Sequence, residues 1–408
     1  MKPSITREND LFPALNRFVE AGELAGAVAL VWRDGRVAEL ATVGRRDLES
    51  GRPVERDTIF RIASMTKPVT TVVGLILHDE GRFDLDDAIT SCAPEFDRLR
   101  VLRDPEGPLD QTEEATRPIT FRDLLTHRAG LTYPEFHSGP IRRALADALG
   151  PHIDNSLSPD EWIARLATMP LIDQPGRNFH YGFSTDLLGF LIARLEGAPL
   201  GEVLKRRLFM PLGMHDTGFA VGPEKRDRRA SLCGVDDDGR LTTLAALPGR
   251  HALAERPDEM TFESGGQGLW STVDDYLTFA RTLLGNRRAA TGLLRPQTLS
   301  LMTSNQLTPE QRTAARMLGR PVFTAGHAYG MGVAVVMEPE KADPLRCRGG
   351  VGTIGWPGAY GGWWQADPND GSVLIFLAHQ MLELQQMRRG LGLGVWSAIS
   401  TFHQMATR

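Results

Sequence analysis

Apolar residues along the chain change period twice. Over residues 10–21, Leu11, Leu15, Phe18 and Val19 fall on one helical face, which predicts an amphipathic helix. Residues 27–32 and 37–43 read as strands joined through Arg33-Asp34-Gly35-Arg36, where Asp-Gly is a strong hairpin signal. Phe60 and Ile62 still alternate, but after Ser64 the apolar residues Val69, Val72, Val73, Ile76 and Leu77 recur at helical spacing. The pattern stays mostly helical to about residue 324, with helices predicted over 121–127, 141–149, 159–167, 185–196, 201–209 and 272–284. Ser158, Pro159 and Glu161 give the 159–167 segment the signature of a capping box. Loops rich in Pro, Gly and Asp separate these segments, notably 104–118 and 222–261. Strands return over 329–337, 348–356, 360–366 and 372–380, with Asn369-Asp370-Gly371 as the last turn. A closing helix follows over 384–404, weakened by Gly390, Gly392 and Gly394. A hairpin at one end and strands at the other can form one antiparallel sheet, an α+β fold. The helical middle is then an insertion, and the cleft between the two is the natural ligand site.

Ser64-Met65-Thr66-Lys67 opens the first long helical run of that middle segment. Positions three apart share a helix face, so the Lys67 amine can lie beside the Ser64 hydroxyl, close enough to exchange a proton. The first-turn amides also point at the serine, and a lysine held there out of water favours its neutral, proton-accepting form. Sixteen serines and five lysines in 408 residues would give Ser-x-x-Lys about 0.2 times by chance, so the spacing alone is a weak signal. Composition strengthens it, because of 46 basic residues only Lys2, Lys67, Lys205, Lys225 and Lys341 are lysine. Arginine cannot serve as a base, and a chain this rich in arginine has placed a deprotonatable amine here. Taken alone, the four residues are read equally well as an ordinary helix start with a solvated lysine.

A net charge of −5 and a pI near 6.1 leave no basic surplus, so nucleic acid is not an expected partner. Residues 1–16 lack the apolar core of a signal peptide, and no apolar run reaches the length of a membrane span. Cys92, Cys233 and Cys347, odd in number and far apart, fit buried free thiols in a reducing cytoplasm, the expected location. The ten histidines show no metal-ligand spacing, so neither a metal nor another cofactor is expected.

A serine-lysine nucleophile needs a third proton-carrying group and an oxyanion hole. Among the five tyrosines, Tyr181 follows a Pro-Gly turn and precedes a helix, which suits a loop residue aimed into a cleft; packing at a helix start is the plainer alternative. Near the end, Trp356-Pro357-Gly358-Ala359-Tyr360 crowds glycine and aromatics into a strand region. An edge strand there offers free N–H groups and lets Gly358 bring backbone close to a ligand, although a tight hairpin with packed aromatics fits the same residues.

Blocks in order along the chain carry a resemblance. They are Ser64-Met65-Thr66-Lys67, the run Leu124 to Leu131, Tyr181 with Leu187-Leu188-Gly189, the run Pro211 to Thr217, the run Gly265 to Thr272, and Trp356-Pro357-Gly358. Together they resemble the class C β-lactamase-like serine hydrolases, most of all the family VIII carboxylesterases, over about residues 25–380. The resemblance implies a penicillin-binding-protein-like α+β fold. Residues 1–60 and 325–408 would form a discontinuous sheet domain, and 61–324 an inserted mostly helical domain, with the active site in the cleft between them. It implies Ser64 as the acylated nucleophile, Lys67 as its partner and Tyr181 as general base or relay, with the order of Lys67 and Tyr181 in the proton path left open. The Ser64 and Ala359 N–H groups would form the oxyanion hole. Trp356 would wall the substrate pocket, with Gly358, Tyr133 and Phe183 also at the substrate site.

Two departures shape the expected chemistry. Phe183 stands where β-lactamases carry an asparagine, and Trp356 where they carry a lysine that pairs with a carboxylate. Both losses favour neutral esters over β-lactams. The expected function is therefore a carboxylesterase acting on a small-molecule ester through acyl-Ser64. A β-lactamase or D-alanyl peptidase reading and an acyltransferase reading use the same residues; the oligomeric state is open. Gly182-Phe183-Ser184-Thr185-Asp186 nearly matches a Gly-x-Ser-x-Gly elbow but ends in Asp without a clear preceding strand, so Ser184 is a decoy. His127 and His379 are expected to be packed rather than catalytic.

Overall fold

The computed structural model describes residues 10–150, 153, 155–244, 262–285, 292–317, 319–323, 325–381, 386–387 and 389–407. Its two ends meet in one antiparallel sheet of seven strands: β1 (Gly26–Arg33), β2 (Arg36–Gly44), β3 (His327–Tyr329), β4 (Ala334–Val336), β5 (Ile354–Gly355), β6 (Trp363–Asp367) and β7 (Ser372–Ala378). The spatial order is β3-β4-β5-β6-β7-β1-β2. The seam between the ends is the β1–β7 ladder, paired from Ala27 with Ala378 to Trp32 with Val373.

Side-chain alternation explains why these strands are buried on both faces. Ala27, Ala29 and Val31 of β1 and Leu374 and Phe376 of β7 face helices Leu11–Glu20 and Gly394–Ala406, packing on Leu11, Leu15, Phe18, Ile399 and Phe402. Val28 and Leu30 of β1 and Val373, Ile375 and Leu377 of β7 face the large core shared with the helical middle. Each fully buried side chain of this size contributes about 1.5–3 kcal/mol by leaving water.

The helices follow the apolar pattern, with boundaries set by local chemistry. Helix Pro159–Ala167 starts at Ser158, whose hydroxyl accepts from the Glu161 N–H at 3.2 Å. The Glu161 carboxylate turns to Arg165 instead, so only half of the expected capping box forms. A complete box opens helix Phe121–Leu125, with Thr120 and Asp123 capping each other. The run expected over 201–209 divides into Leu200–Leu204, a wider π turn at Lys205–Phe209 and Met210–Leu212, next to Pro211, which lacks an N–H to continue a regular ladder. Helices Pro296–Met302 and Pro309–Ala314 have no apolar signature strong enough to predict them.

Strand lengths differ more from expectation. The run expected over 329–337 is the β3–β4 hairpin, folded at Gly330-Met331-Gly332-Val333. Of 348–356 only Ile354 and Gly355 are strand, because the residues before them turn on Gly350 and Gly352. The closing helix begins at Gly394, since Gly390 and Gly392 take positive φ angles that end any earlier turn. Residues 384, 385 and 388 of that expected helix, and 245–261 of the expected long loop, lie outside the described residues.

The β3–β4 turn packs on helix Thr66–Asp79. Gly332 has φ +75°, and a Cβ there would stand 2.4 Å from Thr71 Oγ1, whereas Gly35, at φ +78°, opens on empty space. Gly332→Ala is expected to lower stability by about 2–4 kcal/mol and Gly35→Ala by only about 1 kcal/mol, read by urea unfolding. Equal losses would mean that the turn does not press on the helix.

Candidate active site

Ser64 is delivered by a short strand and an abrupt turn. Phe60–Arg61 pairs with Trp270–Ser271, and the Ile62 N–H donates to the Leu269 carbonyl at 3.0 Å. Ala63 then takes φ +44°, a left-handed value uncommon outside glycine. A 3-10 turn, Ala63–Met65, runs into helix Thr66–Asp79. That helix is apolar nearly all round and buried, so Lys67 on its first turn has no exposed surface, while Ser64 is 7% exposed.

The Lys67 amine has three oxygen partners. Nζ lies 3.4 Å from Ser64 Oγ, 3.3 Å from the Tyr133 hydroxyl and 2.9 Å from the Gly266 carbonyl. It makes no ion pair with the described residues. Asp186, buried on the first turn of helix Ser184–Glu196, ties the other two partners together. Its Oδ2 accepts from the Tyr133 hydroxyl at 3.2 Å, and its Oδ1 accepts from the Gly266 N–H at 3.1 Å and from the Ser264 hydroxyl. A Cβ at Gly266 would fall 2.5 Å from Asp186 Oδ2, so only glycine lets this carbonyl approach both groups. Burial, reinforced by Asp186 and Tyr181, holds the Tyr133 hydroxyl well above the usual phenol range, which keeps it protonated and donating.

Tyr181 borders the same amine by its ring rather than its hydroxyl. Lys67 Nζ sits 4.6 Å from the ring centroid, and the Tyr181 hydroxyl accepts from Trp356 Nε1 at 3.0 Å. The phenol's own proton is therefore not committed to any described residue. The segment after Trp356 closes onto the turn that leads into Ser64: a Cβ at Gly358 would be 2.5 Å from the Ile62 carbonyl, two residues before Ser64. Gly358 and Gly361 close a tight turn, and the exposed Ala359 between them spends its N–H on no described acceptor. The Ser64 N–H belongs to a first helical turn, where no intrahelical acceptor exists.

Compared as a whole with known proteins, the chain matches the beta-lactamase family model over residues 14–393. The chain belongs to the beta-lactamase family. An uncharacterized protein of Mycobacterium tuberculosis is 42% identical over 374 residues, covering 91% of this chain and 90% of that protein. Esterase EstB of Burkholderia gladioli is 32% identical over 373 residues, 88% of this chain and 87% of its own. Among solved structures, EstCE1, titled a hydrolase with promiscuous acyltransferase activity, superposes with TM-score 0.76 at 26% identity, covering 96% of this chain and 97% of its own.

Within this beta-lactamase-family chain, Ser64, Lys67, Tyr133, Tyr181 and Trp356 converge, and the turn carrying Gly358 and Ala359 leans against the residues before Ser64. Phe183 does not stand open to the site; it is buried, edge-on to Tyr133 at 4.7 Å and to Trp162 at 5.4 Å, so it steadies the Tyr133 ring. Ser184 is sealed, its hydroxyl without a hydrogen-bond partner among the described residues, which disqualifies the decoy motif. His127 is buried and pushed well below its ordinary pKa by burial and then by Lys67, so a neutral ring packs at 4.9 Å on Tyr181. His379 is likewise buried, against the Arg45 and Ser231 carbonyls. Asp186, Ser264 and Gly266 escape the sequence reading. One signal does exist, a carboxylate placed among the apolar residues of a buried helix.

Asp186→Asn keeps the side-chain shape but removes the charge that orients Tyr133 and Gly266. It is expected to lower kcat for an ester by about 10- to 100-fold with KM nearly unchanged and the circular dichroism preserved. An unchanged kcat would reduce Asp186 to a helix-start ligand.

Proposed function

We propose that this protein is a carboxylesterase of the family VIII type, in which Ser64 is acylated by a carboxylic ester and water releases the acid. One observation carries this reading: a fully buried lysine amine 3.4 Å from a slightly exposed serine hydroxyl. With Gly266 and Tyr133 taking two N–H groups, a neutral Lys67 has its lone pair left for the Ser64 proton. Ser64 Oγ then bonds to the ester carbonyl carbon, and the Ser64 and Ala359 N–H groups hold the oxyanion. The C–O bond to the alcohol breaks, and the alkoxide takes a proton either from Lys67, which received it from Ser64, or from the Tyr181 hydroxyl, whose own proton is committed to no described residue. Water repeats the sequence in reverse and frees Ser64.

The substrate enters the cleft between the sheet and the helical insertion 61–324. Phe183 and Trp356, in place of asparagine and lysine, separate this site from one built for β-lactams. Esterase EstB, by its name, and EstCE1, by its title, support ester hydrolysis, and EstCE1 also supports acyl transfer to an alcohol as the second reading. No helix among the described residues is long and apolar enough to cross a membrane, and Cys92, Cys233 and Cys347 are unpaired, which supports a cytoplasmic location.

Ser64→Ala should reduce hydrolysis of 4-nitrophenyl butyrate by at least about 1,000-fold, and a fluorophosphonate should leave its mass adduct on Ser64. Near-normal turnover, or an adduct on Ser184, would reject the assignment. Butyl ester appearing faster than free acid when butanol is added would move the protein to the transferases.

A further inference from the structure

Arg346, a second cation at this site, forms no ion pair with the described residues. Its Cζ lies 5.0 Å from the centroid of the Trp356 ring, the indole whose Nε1 holds the Tyr181 hydroxyl. Three other half-buried arginines are paired with acids: Arg194 forks onto Glu95 and Asp160, Arg207 onto Glu80 and Glu196, and Arg228 onto Asp57 and Asp216. The Arg346 guanidinium makes no hydrogen bond or ion pair with the described residues, and the residue is half-buried. The nearest acid in the sequence, Asp343, acts on it only through space, without a contact, and its Oδ1 accepts from the Leu345 N–H at 2.9 Å. Desolvation lowers the guanidinium from its ordinary pKa, with Asp343 opposing only in part. Neighbouring Cys347, sealed beneath Thr353 and Ala334, anchors the loop that presents Arg346.

A second unspent group borders the same indole. Tyr329 meets Trp356 edge-on at 5.4 Å, and its buried hydroxyl has no hydrogen-bond partner among the described residues. That hydroxyl stands close enough to Tyr181 and Arg346 for both to perturb it electrostatically.

We infer that Arg346 recognises a carboxylate carried by the ester substrate away from the bond that is cleaved. The inference rests on the esterase reading and narrows it to esters that bear a free acid, such as the half-ester of a dicarboxylic acid. Trp356 removes the cation that a lysine at its own position would supply, and Arg346, stacked on that tryptophan's face, supplies another from a different strand connection. A guanidinium suits this task because its planar fork matches a carboxylate while its flat face stays on the indole.

The test compares 4-nitrophenyl hemiglutarate with 4-nitrophenyl butyrate in the wild-type enzyme, Arg346→Met and Arg346→Lys. Methionine keeps an apolar stem over Trp356, so the fold and the neutral reaction have no reason to fail. The expected result is a loss of about 10- to 100-fold in kcat/KM for the hemiglutarate in Arg346→Met, mostly in KM, with the butyrate within about 2-fold. Arg346→Lys should recover part of the loss, and added salt should weaken the hemiglutarate reaction alone. Equal losses for both esters would make Arg346 a packing residue and overturn the inference, as would a ratio between the two esters that Arg346→Met leaves unchanged. Wild-type enzyme that cleaves neither ester and leaves Ser64 unlabelled by a fluorophosphonate would overturn the esterase reading itself, and the inference with it.

Discussion

An amine sealed from water must find an acceptor for every N–H it keeps, since an unpaired buried polar group costs about 1–3 kcal/mol. Satisfying Lys67 organises the centre of this molecule. Gly266 reaches it only because the Gly265-Gly266 backbone slides between helices Thr66–Asp79 and Ser184–Glu196, with Thr70 Oγ1 donating to the Gly265 carbonyl at 2.7 Å. Tyr133 reaches it from a separate loop, held by Asp186 behind and Phe183 beside it. Two of the amine's directions are thus committed to fixed groups, and the third faces Ser64. A site assembled this way is preorganised, because its polar groups already hold one another in place.

The sheet positions the Trp356–Ala359 side of the site as the helices position Ser64 and Lys67. The β1–β7 seam joins the chain's two ends, and the adjoining β6 and β5 carry Trp356 to Ala359 against Ile62. Ser64 and Ala359 come from segments almost three hundred residues apart, yet each is fixed by its own rigid neighbour. The same seam explains why β1 and β7 read as unbroken apolar runs: helices cover one face and the helical middle covers the other.

Trp356 links the parts of the site. Its edge donates to Tyr181, one neighbour on its ring is Arg346, and Tyr329 packs edge-on against it. An indole at this position, rather than a charged lysine, changes more than charge, because its aromatic surface can hold a cation from elsewhere while its N–H fixes the Tyr181 phenol.

Local patterns in the sequence determined the hairpin, the buried nucleophile helix, the Ser158 cap and the class of fold, because each depends on periodicity or on contacts within a few residues. Ser64 and Lys67 were legible for the same reason: three residues on a helix bring them together whatever surrounds them. Tyr181 and the stretch Trp356 to Tyr360 stood out locally only as one reading beside plain packing, and the order of blocks along the whole chain was needed to choose between them. Only the tertiary structure decided that Lys67 binds the Tyr133 hydroxyl and meets Tyr181 by its ring, that Asp186 stands behind both of its fixed acceptors, and that Arg346 lies on the Trp356 ring with no ion pair among the described residues. These are relations between segments distant in sequence. No local period encodes them, because they exist only once the helices and the sheet have packed and decided which polar groups are left to satisfy one another.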